Sequence, residues 1–325
     1  MENQSAIVIE NSADCNLKCP ACPTRHTTSY PGQYMEDDIF ERILGNISPK
    51  LYPNCALMGW GEPLLDPSYF QKLLSLKKLG FYVGSTTNGT LLTEKMIAGI
   101  IDHGLDQLGI SLDANHLNDR LSYGEFIDDK IRSLLNIKEK KRGSVKINIS
   151  IVVFRSKKDS VIQIIDGLKD FPIDGISLIP ITMIPTKSLY SELIFRHELR
   201  DLQLQVSRCF PNMPISFQYL EEEMQGNCRS DIFHNVYVDY QGNVSPCCIL
   251  AMPFPNMTFD GTMRHTEYLR FGNLTGSHIE SIWSSQAYSE FRNIYYHNHI
   301  PDICQCCNAW RMLPEEYEEP VTTSL

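Results

Sequence analysis

Six short apolar runs, most followed by a stretch with helical spacing, constrain this chain more than any other feature in it. They are Ala6 to Ile9, Cys55 to Gly59, Phe81 to Thr86, Gln107 to Leu112, Val145 to Val153 and Gly175 to Ile179. Helices are expected between them over about Met35–Leu44, from the Asp66-Pro67-Ser68 start signal to Leu79, Thr93–His103, Gly124–Lys141 and Lys158–Leu168. Regular alternation of apolar strands with helices implies parallel βαβ units, because parallel neighbours need a crossover and both sheet faces must be covered. The fold class expected is α/β, a partial (β/α)6 TIM-like barrel, since six units fall short of a closed eight. In such folds the chemistry gathers at the carboxyl ends of the strands.

The alternation stops near Pro180 and Pro185. This sets expected boundaries: a barrel over 1–185, a connector over 186–224 with a helix at Ser191–Val206, a smaller unit over 225–312 and an acidic tail over 313–325. The smaller unit opens with a hairpin pattern, Val236 to Ser245 around Gln241-Gly242-Asn243, followed by a helix from about Ile279 to Asn293. The tail is polar enough to stay unfolded.

A formal charge of −10 with no basic stripe argues against nucleic acid or an anionic membrane surface as the main partner. No run approaches the roughly 18 apolar residues of a membrane span, and Met1 to Ser5 has no signal-peptide character, so a cytoplasmic protein is expected. Eleven cysteines in such a compartment point to metal or catalysis rather than disulfides.

Three of those cysteines, Cys15, Cys19 and Cys22, form CxxxCxxC just after the first apolar run. Structural zinc sites and ordinary iron–sulfur clusters are closed by four protein ligands, so three thiols in one loop suggest a 4Fe-4S cluster with a free corner. A zinc knuckle borrowing a ligand from elsewhere is the alternative. The pattern resembles the signature of the radical S-adenosylmethionine (SAM) enzymes, in which the amino and carboxylate groups of SAM occupy the open iron.

Three further segments on the same strand edge resemble that family. Gly59-Trp60-Gly61-Glu62-Pro63 is similar to its "GGEP" segment, whose backbone and carboxylate receive the SAM amino group. Asn88, in Thr87-Asn88-Gly89, and Ser111 with Asp113 stand at its positions facing the methionine and ribose parts, and Asn148 is a candidate contact from the fifth strand. Glycine lets backbone approach a ligand, and a carboxylate suits an ammonium. Trp60 replaces one glycine of the pair, and Ala21 stands where the family usually has an aromatic residue.

Cys228, Cys247, Cys304 and Cys307 read as a complete ligand set from a hairpin and a later CxxC turn, with Cys306 as an alternative to Cys307. With Phe271-Gly272-Asn273-Leu274 and Ile282-Trp283 ahead of that turn, the layout resembles the SPASM/twitch extensions of radical SAM enzymes, in the version with one auxiliary 4Fe-4S cluster. Zinc remains the alternative occupant. Neighbours in an extended segment face opposite ways, so if Cys247 faces the auxiliary site Cys248 need not. A thiol facing the substrate would return a hydrogen atom and invert a stereocentre, as epimerases of the family do. Cys55 and Cys209 read as small core hydrophobes, and His297 and His299 as surface or core residues rather than ligands.

The resemblance implies reductive cleavage of SAM, hydrogen abstraction by the resulting 5′-deoxyadenosyl radical, and either oxidation or epimerisation. With the first strand starting near residue 6, there is no room for an N-terminal peptide-recognition domain, which favours a polar small molecule of sugar or aminocyclitol type. Modification of a ribosomal peptide, by epimerisation or cross-linking, is the alternative within the family. A non-catalytic iron–sulfur electron carrier is the alternative outside it. A flavodoxin or ferredoxin is the implied electron donor.

Overall fold

The computed structural model describes residues 5–113, 123–220, 228–297 and 299–316. Ten strands form one sheet, in the order Gly272–Asn273, Asn243–Ser245, Asn235–Val238, Ala6–Ile9, Asn54–Leu57, Tyr82–Thr87, Gln107–Asp113, Lys146–Val153, Gly175–Pro180 and Ile215–Phe217. The six expected strands are its centre and run parallel. The crossover helices are Asp37–Leu44, Tyr69–Leu79, Glu94–Asp102, Tyr123–Lys141 and Lys158–Leu168. Thr93 caps the third by accepting a bond from the Met96 amide at 3.2 Å. Gly80 ends the second in the left-handed region, φ 94°, where a side chain would be strained.

The two faces of the sheet differ sharply. Ile7, Ile9, Leu57, Val83, Ile110, Ile147, Ile149, Ile151 and Leu178 are buried and share one core with Phe40, Leu73, Ile97, Ile100, Leu134 and Ile165 of the helices. The alternate positions carry Val8, Ala56, Gly84, Thr86, Asn148, Ser150 and Ser177, small or polar side chains left half-buried. With a period of two, the inner face alternates with this core and is mixed, since Val152 and Ile179 lie on it beside Asn148, Ser150 and Ser177.

Both sheet edges are closed in ways the sequence pattern did not show. Asn235–Val238 pairs in parallel with Ala6–Ile9, so the hairpin of the smaller unit continues the barrel sheet. On the far side Ile215–Phe217, inside the expected connector, pairs with Gly175–Pro180. Covering an edge satisfies its open backbone groups. The connector helix is Arg196–Cys209 rather than Ser191–Val206, preceded by a short Lys187–Tyr190 turn. The expected helix from Ile279 to Asn293 is two, Ile279–Trp283 and Gln286–Tyr296, because Ser285 starts a new one by capping the Tyr288 amide. The end of the expected tail, 317–325, lies outside the described residues.

Candidate active site

The three-cysteine loop hangs from a small ribbon in which Ser12–Ala13 pairs with Gln33–Tyr34. It is closed on itself: the Cys22 amide donates to the Cys19 carbonyl at 3.1 Å, Arg25 Nη1 to the Lys18 carbonyl at 2.9 Å, and the Cys15 amide to Asp14 Oδ1 at 2.8 Å. All three thiols are free and half-buried. Burial pushes the Cys15 thiol above its usual range, and the nearby Glu62 and Cys22 add to this. A bound cation reverses that preference and holds the thiolate.

The Gly59–Glu62 turn packs directly beneath this loop. A Cβ on Gly61 would stand 2.3 Å from the Ser12 carbonyl and 2.4 Å from that of Asp14, and one on Gly59 would meet Glu10 Cγ at 2.4 Å. The Glu62 amide donates to the Asp14 carbonyl at 2.8 Å. Only glycine permits so close an approach. Behind it, Asp66 Oδ2 accepts from Asn11 Nδ2 at 3.0 Å and from Lys72 Nζ at 2.9 Å, an ion pair with both side chains 2% exposed. This knot fixes the end of the first strand to the turn.

The Glu62 carboxylate accepts from the Leu64 amide (3.2 Å), Thr87 Oγ1 (2.7 Å) and the Asn88 amide (2.8 Å), and the residue is 2% exposed. It ties the turn to the end of the third strand. Asn88 also acts on the loop, donating through Nδ2 to Asn16 Oδ1 at 2.9 Å and lying 3.9 Å from Cys15 Sγ. Ser111 lies on the inner face, level with Ser150, and Asn148 lies level with Gly109. The Asp113 side chain lies outside the described residues. Sequence reading missed Ser150, Ser177 and Ser216, which the register aligns with Ser111 in one row across four adjacent strands. Ser177 Oγ and Ser216 Oγ stand 3.1 Å apart. Isoleucine–serine alternation, Ile149-Ser150-Ile151 and Ile176-Ser177-Leu178, was the signal that could have found them.

In the smaller unit, the Cys228 thiol lies close enough to those of Cys247, Cys304 and Cys307 for each to feel its charge. Cys306, whose charge also reaches Cys304 and Cys307, donates its Sγ to the Ile303 carbonyl at 3.0 Å and has Arg264, Glu267 and Arg311 among its charged neighbours. The CxxC turn is held rigidly, with Asn256 Nδ2 on the Cys306 carbonyl (2.8 Å), Trp310 Nε1 on that of Cys304 (2.8 Å) and Arg311 Nη2 on that of Gln305 (3.1 Å). Burial pushes the Cys304 thiol up to about 12 and the Cys247 and Cys307 thiols well above their usual range. Such dry thiols suit a cation that ionises them. Among the described residues no three His, Cys, Asp or Glu side chains converge where a single ion would sit.

Two cysteine expectations change. Cys209 is exposed at a helix end, not in the core, whereas Cys55 is buried as expected. Cys248 is not in an extended segment but helical, φ −61° and ψ −33°, so strand alternation does not decide where it faces. Its thiol is nonetheless beside Glu10, with Cys228 also near, and burial pushes it up to about 11. His297 and His299 are exposed. Trp60, the departure from the glycine pair, bridges the two units: its indole N–H donates to the Cys248 carbonyl at 3.0 Å, and its ring meets Phe254 edge-on at 6.0 Å.

Comparison with known proteins agrees with this geometry. The chain is 24% identical over 317 residues to a tungsten-containing aldehyde ferredoxin oxidoreductase cofactor-modifying protein of Pyrococcus furiosus, covering 92% of this chain and 86% of that protein. It is 27% identical over 168 residues to an AdoMet-dependent heme synthase of Methanosarcina barkeri, covering 50% of this chain and 47% of that one. Among solved structures, Streptococcus suis SuiB bound to S-adenosylmethionine superposes with a TM-score of 0.66 at 17% identity, over 89% of this chain and 68% of that one. The anSMEcpe structure with bound AdoMet superposes at 0.65 and 19% identity, over 95% and 84%. These two superpositions show the fold. No described helix is long and apolar enough to cross a membrane. The iron–sulfur cluster-binding SPASM profile matches residues 228–308 and the radical SAM superfamily profile residues 11–178. The chain therefore belongs to the radical SAM superfamily and carries a SPASM domain, so that its cofactors are SAM, a 4Fe-4S cluster that binds it, and auxiliary iron–sulfur clusters.

Proposed function

We propose that the protein is a radical SAM oxidoreductase acting on a polar small molecule, of sugar or aminocyclitol type or similarly hydroxylated. What supports this reading is a row of serines, Ser111, Ser150, Ser177 and Ser216, in register across the inner face of four adjacent strands. Hydroxyls that both donate and accept suit a ligand rich in the same groups. In this reading Cys15, Cys19 and Cys22 hold the SAM-binding cluster, and Cys228, Cys247, Cys304 and Cys307 hold one auxiliary cluster. Gly59, Gly61, Asn88, Ser111, Asp113 and Asn148 line the SAM site, with Glu62 bracing its turn. Together the cluster and SAM supply an organic radical that takes hydrogen from an unactivated carbon. The chain positions that carbon, excludes water and keeps the walls unreactive. A flavodoxin- or ferredoxin-type protein serves as electron donor.

A second reading, modification of a cofactor or its precursor, is favoured by the Pyrococcus furiosus relative, whose name gives a cofactor-modifying role and whose match spans 92% of this chain. Anaerobic reconstitution followed by a SAM-cleavage assay tests the common ground. Formation of 5′-deoxyadenosine, accelerated by a hydroxylated substrate and lost in Cys19→Ala, is expected. No cleavage in iron-loaded protein would sink both readings.

A further inference from the structure

Trp60 interrupts the glycine pair, and its backbone and side chain serve different units. The backbone belongs to the barrel. The Trp60 amide donates to Glu10 Oε1 at 2.9 Å, Gly61 fits against the Ser12 and Asp14 carbonyls, and the Glu62 amide bonds that of Asp14 at 2.8 Å. The side chain leaves the barrel. Its indole N–H donates to the Cys248 carbonyl at 3.0 Å, and its ring packs with Ile249, Met252, Phe254, Cys247 and Cys307 in an apolar core separate from the main one.

That bond lands on the segment following Cys247. The Cys248 carbonyl also accepts from the Ala251 amide at 3.2 Å, which closes the short turn Ile249–Ala251. Within this turn the Leu250 amide donates to the Cys247 thiol. A carbonyl oxygen has two lone pairs, and here one serves the turn while the other serves Trp60. On the barrel side Trp60 is flanked by Gly59 and Gly61, and glycine has the most backbone freedom to lose. A ligand received by such a turn must bear the entropy of ordering it, unless another contact has already ordered it.

We propose that Trp60 makes the SAM site and the auxiliary cluster site one cooperative unit. An occupied auxiliary site fixes Cys247 to Ala251, that segment fixes the indole, and the indole fixes the Gly59–Gly61 turn in the form that receives SAM. Trp60 is thus a positioning residue. The proposal rests on the reading above, in which Gly59 and Gly61 line the SAM site and Cys228, Cys247, Cys304 and Cys307 hold the auxiliary cluster. Coupling of this kind is reciprocal, so SAM in turn steadies the auxiliary segment. The pairing of Ala6–Ile9 with Asn235–Val238 also joins the two units and is the rival route, since it does not pass through Trp60.

The test measures SAM affinity by equilibrium dialysis on the full, iron-loaded chain, oxidised so that SAM binds without being cleaved. Wild type, Trp60→Phe, Cys307→Ala and the double variant are compared, phenylalanine keeping a ring against Phe254 while removing the N–H. Loss of the auxiliary cluster in C307A should weaken SAM binding ~10-fold in the wild-type background and less than ~2-fold in the W60F background. Equal affinity in wild type and C307A overturns the proposal, and so does the same weakening in both backgrounds, which would favour the strand route. Amide exchange over 248–251 is the second readout, and it decides alone if C307A also loses the irons of the cysteine loop. SAM should slow that exchange in wild type and not in W60F; an equal effect in both, or none in wild type, overturns the proposal. A wild type that carries both clusters yet binds no SAM sinks the SAM-site reading, and the proposal with it.

Discussion

A buried acid without a cation beside it should make the stability of this protein fall with pH, and Glu10 gives the size of the effect. Its carboxyl is pushed from 4.5 up to about 7 in the folded chain, first by burial and then by Asp239. The folded state thus holds this proton more tightly than the unfolded chain. The resulting stability is fully present below about pH 4.5 and is lost as pH rises through 7. At 1.36 kcal/mol per unit, a difference of about 2.5 units is worth ~3 kcal/mol. Glu10→Gln keeps the shape and the bond from the Trp60 amide but cannot ionise. Urea denaturation of metal-free protein at half-unit steps from pH 5 to 8 supplies the assay, read as the difference between wild type and E10Q so that other groups cancel. Relative to wild type, E10Q should gain about 1 kcal/mol per pH unit between pH 5 and 7, flattening above. A difference constant across that range would mean that Glu10 has no raised pKa in the folded protein.

Other outcomes follow from the same structure. Gly61→Ala forces a Cβ against the Ser12 and Asp14 carbonyls, so iron bound at the cysteine loop should be lost, about four atoms per chain by iron analysis, while auxiliary iron stays. Asp66→Asn leaves the buried Lys72 with only the exposed Asp37 carboxylate at 3.5 Å as counter-ion and should cost ~3 kcal/mol in denaturation. Cys307→Ala should remove the auxiliary cluster's absorbance and Cys306→Ala should not, since the Cys306 thiol is engaged with the Ile303 carbonyl at 3.0 Å whereas Cys228 acts on Cys307.

The barrel strands were legible because each alternates with period two and each helix carries its own start or stop, as at Thr93 and Gly80. The cysteine spacing and the glycine turn were legible because their chemistry is local in sequence. What was hidden depends on pairing at a distance. Nothing near Asn235–Val238 says that it joins Ala6–Ile9, nor does anything near Ile215–Phe217 announce a sheet edge. The serine row exists only once four strands are in register. The bonds of Glu62 to Thr87 and Asn88, 25 and 26 residues away, are likewise invisible in its sequence neighbours. Cys209 was assigned to the core by residue type, and the helix end that exposes it was placed three residues short.

The proposed chemistry depends on an iron–sulfur cube held by Cys15, Cys19 and Cys22 with one iron left for SAM. Mössbauer spectra of anaerobically reconstituted 57Fe protein, taken with and without SAM, report on that iron. About eight irons per chain are expected, one of which changes its spectrum when SAM is added, and about four in the Cys15/Cys19/Cys22→Ala variant with that response gone. Unchanged iron content in the variant, or no SAM-sensitive iron in wild type, would contradict it.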